Sequence, residues 1–167
     1  MTNQVHSAAG TRSILTTLDE VRAAAVRVAS AATRMLTMYT PDVEPALYDQ
    51  PAFLEAIKRL ILGRSYAKVR VLIADPARTT FETSKFIGMA RRITSHIEVR
   101  HLRADLRNNA AAFLIADERA LIYRLQASSW DGIAEMNDPP VARRYLAYFE
   151  DVWQASEPHR ELRQIRM

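Results

Sequence analysis

A 167-residue chain without cysteine must draw any chemistry from histidines, carboxylates, hydroxyls or cations. The histidines are His6, His96, His101 and His159, and none has the i, i+4 partner of a helical zinc motif. His96 and His101 stand five apart, across a predicted loop–strand junction, which is not ligand spacing. No metal and no cofactor is expected. Glu118 or Glu135 with Asp131 or Asp138 would make a glycosidase-like pair on paper, but acids in polar loops are ordinarily solvated. Ser128-Ser129-Trp130 has no histidine and acid beside it for a nucleophilic triad, and the four glycines form no phosphate-cradling loop. The most informative stretch is "NNAAAFLIADERALIYR", Asn108 to Arg124, in which two apolar runs flank Asp117 and the residues before it are nearly all alanine.

The elements that position this stretch follow from periodicity. Ile14, Leu18, Val21, Ala25, Val28, Ala32 and Met35 recur at spacings of four and three, predicting an N-terminal amphipathic helix of about six turns. Its stripe would cover the chain's own sheet or, less simply, form a dimer seam. "MLTMYT" predicts a strand ended by Pro41, and "DVEPALYDQ" a turn or short helix. "PAFLEAIKRLILG" predicts a second helix, with Pro51 in its first turn and Gly63 at its C-terminal cap. "KVRVLIAD" is apolar on both faces towards its end, as in a strand covered on both sides. "RTTFETSKFIGMARRIT" predicts a third helix with Phe81, Phe86 and Ile87 inward, and "HIEVRHLR" another strand.

"AAAFLIAD" and "RALIYRL" then predict a hairpin with a two-residue connection, Asp117-Glu118. "QASSWDGIAEMNDPP" reads as loop, and "PVARRYLAYFEDVWQAS" as a closing helix with an aromatic face. Alternating helices and strands predict an α/β fold: a layered, mixed and largely parallel sheet with helices on both faces. Residues 1–12 read as a disordered N-terminal segment and 13–167 as a single domain.

Net charge is +4 with 23 basic residues, most of them arginine. Arginine suits bidentate phosphate contacts, so nucleic acid or another phosphate polyanion is a candidate partner. The span from Arg91 to Arg107 holds Arg91, Arg92, Arg100, Arg103 and Arg107 against Glu98 and Asp105. No apolar run approaches membrane-spanning length, no secretory leader is seen, and the lack of cysteine suits a reducing compartment, so a cytoplasmic location is expected.

Residues 35–155 resemble one repeat of the phospholipase D-like superfamily. The resemblance is carried by "FLEAIKRLILGRSYAKVRVLIAD", "IEVRHL", the strand–acid–strand hairpin "AAAFLIADERALIYR" and the closing helix with Phe149 and Trp153. More narrowly, the chain resembles an uncharacterised bacterial family of such domains lacking the catalytic signature, His-x-Lys-x4-Asp. In that signature the histidine attacks phosphorus, a second histidine protonates the leaving oxygen, and the lysine stabilises phosphoryl charge. With Asp117 as the motif's aspartate, the histidine position is Ala110 and the lysine position Ala112. Alanine supplies neither nucleophile, proton nor cation.

The resemblance therefore implies the fold and argues against the activity, with no catalytic residue carried over. It leaves Asn108, Asn109, Asp117, Arg100, Arg103 and Arg107 as candidates for a degenerate or anion-binding site, and Trp130 as an interaction residue. A single repeat further implies a homodimer. The expected function is a non-catalytic binding, scaffolding or regulatory module with an unidentified protein partner. The alternatives are nucleic-acid or phosphate-polyanion binding, or a residual phosphodiesterase.

Overall fold

The computed structural model describes residues 12–78 and 83–158. Eight strands form one sheet: β1 (Arg12–Leu15), β2 (Met35–Thr40), β3 (Lys68–Ile73), β4 (Ile97–His101), β5 (Ala112–Ala116), β6 (Ala120–Arg124), β7 (Gly132–Glu135) and β8 (Glu157–Pro158). The helices are α1 (Leu18–Ala31), α2 (Pro45–Tyr48), α3 (Pro51–Gly63), α4 (Lys85–Arg92) and α5 (Pro139–Gln154). The strand order is β1-β7-β6-β5-β2-β3-β4-β8.

Pairing follows the connections. Helical crossovers join β2 to β3 and β3 to β4, and these pairs are parallel. The hairpin β5–β6 and the pairs β2–β5, β6–β7, β1–β7 and β4–β8 are antiparallel. The mixed α/β sheet is as expected, with parallel pairing confined to the three strands β2, β3 and β4.

Helices cover both faces. On one, α1 to α4 bury Val21, Val28, Phe53, Ile57, Phe86 and Ile87 against Leu36, Met38, Val69 and Val71. On the other, Phe149 and Trp153 of α5 pack with Tyr39, Leu72, Phe113, Ile115 and Leu121. β5 is buried throughout, with Phe113 and Ile115 towards α5 and Leu114 towards α1. The blandness of its alanines has a packing cause. Ala116 and Ala120 share a core with Ala24, Ala25 and Ala29 of α1, which lies over β5 and β6. Small side chains on both surfaces let helix and sheet approach closely.

Several boundaries differ from the sequence reading. The apolar stripe from Ile14 to Met35 is not one helix. Thr17 and Glu20 form a capping box that starts α1 at Leu18, leaving Ile14 in β1 and Met35 in β2. Within α1 the stripe is buried in this chain, which favours its covering role over a dimer seam. The loop reading of 126–140 missed β7, and the disordered reading of residues 1–12 missed Arg12, where β1 begins. Both are four-residue strands, too short to show a clear alternation; β1 pairs only with the distant β7, and β7 follows β6 across a polar seven-residue loop.

Gly63 is the last residue of α3, with Arg64 as an extended cap. The third helix begins at Ser84, whose hydroxyl accepts from the Ile87 N–H, while the Asp49 carboxylate accepts from Lys85 and Phe86 N–H. Phe81, the other residues before Arg12, and the histidines His6 and His159 lie outside the described residues.

Candidate functional site

The β5–β6 turn is the first place to look, because Asp117 sits there. The connection has three residues, Asp117 to Arg119, rather than two. Asp117 adopts φ 56°, a left-handed conformation that aspartate tolerates better than most residues. Its backbone N–H donates to Met35 O at 2.8 Å. Its carboxylate accepts from the backbone N–H of Thr33 (3.1 Å), Arg34 (2.8 Å) and Met35 (3.1 Å), and from the Thr33 hydroxyl (3.2 Å). The acid thus ties the hairpin to the chain leading into β2. Every one of these contacts is intramolecular.

The other end of β5 faces a second region. Asn109 and Ala110 precede the strand, so the full length of β5 separates them from Asp117. They line a cavity of about 660 Å³ at the C-terminal ends of β2 and β3, with Glu44, Asp75, Arg107 and Trp130. Ala110 is exposed on its rim, whereas Ala112 is fully buried. The sequence candidates are therefore divided between opposite ends of the sheet.

Sequence reasoning missed a buried ion pair here, between Glu44 in the cavity wall and Arg124 behind it. Arg124 and Glu44 are buried, 2% and 7% exposed, and their side chains meet at 2.7 Å. The Arg124 guanidinium also donates to the carbonyls of Ser129 (3.0 Å) and Ala127 (2.7 Å) and lies over the Trp130 ring, 4.8 Å from its centroid. Glu44 accepts a further bond from the Thr40 hydroxyl at 3.1 Å. Val43 (φ 56°) and Glu44 (φ 29°) are both left-handed, a strain on the order of 1–3 kcal/mol each that the ion pair helps to hold. The buried Tyr48 hydroxyl is pushed well above its ordinary pKa, first by burial and then by the Glu44 charge, with Arg124 opposing. A signal for Arg124 was present. It occupies the inward period-two position after Ala120 and Ile122 in an otherwise apolar strand.

Gly132 permits this arrangement. A Cβ there would stand 2.7 Å from Arg124 Cγ and 2.8 Å from Tyr123 O. Trp130, read as an interaction anchor or a lid, is half-buried and covers the Arg124 guanidinium.

The remaining candidates scatter. Arg107 donates to Leu102 O (3.0 Å), and the Asn109 carboxamide oxygen accepts from Ala111 N–H (3.0 Å). These two line the cavity. Asn108 is exposed, and Arg103 forms a two-point bridge with Asp105 on the surface. Arg100 is engaged elsewhere: it pairs with Glu98 (2.9 Å), donates to Trp153 O and stacks 4.3 Å from the Trp153 ring. His96 Nδ1 meets Ala67 O at 2.8 Å and His101 faces Glu157, so the two are not brought together as ligands. Among the described residues, no group of three or more histidines and acids is placed to hold a metal, and no helix is long and apolar enough to cross a membrane.

Comparison with solved structures places this architecture. Nuc from Salmonella typhimurium, a phospholipase D family member, aligns with a TM-score of 0.61 at 16% identity, over 89% of this chain and 98% of its own. NucT from Helicobacter pylori aligns at 0.62 and 13% identity over the same shares. TrmBL2, an archaeal chromatin protein with a novel mode of DNA binding, aligns at 0.66 and 17% identity over 89% of this chain; the chain spans about half of it, 53%. The fold is therefore phospholipase D-like, as the hairpin and closing helix implied. No curated protein matches the chain. The family described as "Domain of unknown function (DUF7931)" matches residues 17–165, and the chain belongs to that family.

Proposed function

We propose that the protein is a non-catalytic phospholipase D-like module that works by binding. The observation that carries this reading is the composition of the cavity beside β5. Where the superfamily signature would place a nucleophile and a cation, this chain has Ala110 on the rim and Ala112 buried. Of the charged groups in the wall, Glu44 is held by the buried Arg124, whose other donors go to neighbouring carbonyls, and Arg107 donates to Leu102 O. Asp42 and Asp75 also line the cavity, and their carboxylates oppose the approach of a phosphodiester anion. Asp117, the motif's remaining member, is consumed in tying the turn to β2.

The test is turnover of a generic phosphodiester, bis(p-nitrophenyl) phosphate. The expected rate equals that of buffer. Hydrolysis that follows the protein peak through gel filtration would overturn the reading and restore the residual phosphodiesterase alternative.

A homodimer is part of the proposal, carried over from the single-repeat resemblance. Light scattering on a size-exclusion column is expected to give twice the 19.0 kDa chain mass. A clean single-chain mass at micromolar concentration would remove it.

A second reading, nucleic-acid binding, is favoured by two observations. The chain carries a net charge of +4 dominated by arginine. Its fold is also similar to that of an archaeal chromatin protein that binds DNA.

A further inference from the structure

An open groove lies at the end of the sheet away from the Ala110 cavity. It has a volume of about 1270 Å³ and runs between the β5–β6 turn, the start of β2 and α5. Four guanidinium side chains line it: Arg34, Arg70, Arg119 and Arg143. They come from β3, α5, the turn and the residue before β2, so only the tertiary fold gathers them.

The acids in the groove are Asp117, Glu118 and Glu150. Glu150 is neutralised by Arg70 at 2.7 Å, and Asp117 already accepts bonds from three backbone N–H groups and a hydroxyl. Arg34, Arg119 and Arg143 are exposed and form no ion pair with a described residue. That leaves three cations facing Glu118. Tyr66, 60% exposed, stands in the same lining, and Leu146 and Ala147 give it an apolar stretch.

We propose that this groove binds single-stranded nucleic acid, with Arg34, Arg119 and Arg143 on backbone phosphates and Tyr66 stacking on an unpaired base. The assignment rests on the nucleic-acid reading above and names its surface. Guanidiniums match phosphate oxygens in pairs, and several spaced along a groove suit a polyphosphodiester better than one phosphate. An exposed aromatic ring beside them rewards bases free to stack, which a duplex does not offer. The groove lies at the opposite end of β5 from Ala110 and Ala112, the signature's histidine and lysine positions, and shares with the signature its aspartate, Asp117, so alanine at those two positions leaves the groove's cations in place.

The experiment is fluorescence anisotropy of the full chain with a labelled oligothymidylate of about 16 nucleotides. It is measured at low and at physiological salt. The triple variant Arg34→Ala, Arg119→Ala, Arg143→Ala is compared with Arg27→Ala, Arg59→Ala, Arg92→Ala, which removes equal charge from α1, α3 and α4. Circular dichroism melts confirm that both remain folded.

The groove variant is expected to lose about tenfold or more in affinity, with its salt slope reduced by about two, while the control stays near wild type. Tyr66→Ala is expected to weaken binding about tenfold. If both triple variants bind alike, the groove assignment fails and the nucleic-acid reading stands. If the wild-type chain shows no binding at low salt, both fail. If a duplex or inorganic polyphosphate binds equally well and Tyr66→Ala changes nothing, single-strand recognition is overturned.

Discussion

Arg124→Ala is expected to destabilise the protein by about 3–5 kcal/mol. The substitution strands Glu44, 7% exposed, as an uncompensated buried carboxylate with only the Thr40 hydroxyl left beside it. It also removes two donors from the carbonyls of Ala127 and Ser129, and takes away the platform under Trp130. Glu44→Ala should cost a similar amount by the reciprocal route. The informative construction is the double variant Glu44→Leu, Arg124→Met. Its two apolar side chains replace the pair without stranding a charge, and such replacements are often close to neutral. Full recovery is not expected, because the two loop carbonyls still lose their donor. The measurement is urea unfolding of wild type, both single variants and the double variant as a thermodynamic cycle. A coupling energy below about 0.5 kcal/mol would show the pair to be incidental.

Asp117→Ala should be the next most damaging change outside the apolar core, at about 2–4 kcal/mol. Bonds to a charged acceptor contribute more than neutral ones, on the order of 1.5–3 kcal/mol each, but the Asp117 bonds share two oxygens and do not add. Thr33 and Arg34 are exposed, so water replaces part of what is lost; the Met35 N–H is less accessible. Alanine also fits φ 56° poorly. For a domain of this size the melting temperature should fall on the order of 10 °C. Asp117→Asn keeps one acceptor oxygen and tolerates the left-handed backbone, so its loss should be about half. Equal melting temperatures for wild type and Asp117→Ala would refute the structural role assigned here to that acid.

Much of the fold was legible in the sequence, and particular residues explain why. "KVRVLI" is apolar on both faces because helices cover both, and Val69, Val71 and Leu72 are fully buried. Pro51 opens α3, and the aromatic face of α5 packs Phe149 and Trp153 onto the sheet as periodicity required. The failures were at segments whose structure is set from outside. Arg12–Leu15 and Gly132–Glu135 become strands because each completes the other's pairing beside β6. The stripe from Ile14 to Met35 kept helical spacing across a capping box, so periodicity alone overran both ends of α1.

The candidate site was less legible. That alanines stand at the signature's nucleophile and cation positions could be read from residue identity and spacing. So could the single acid that divides the two strands of the hairpin. Tertiary structure alone decided what those residues do. Residues 44 and 124 are distant in sequence, and only the β2–β5–β6 pairing brings their charges to 2.7 Å within a buried wall. The same pairing sends Asp117 to the opposite end from Asn109 and Arg107, and gathers Arg34, Arg119 and Arg143 from separate elements into one groove. Local spacing governs which side chains share a strand face. Which charges meet across strands depends on register and strand order, and those were set by the packing of both helical layers.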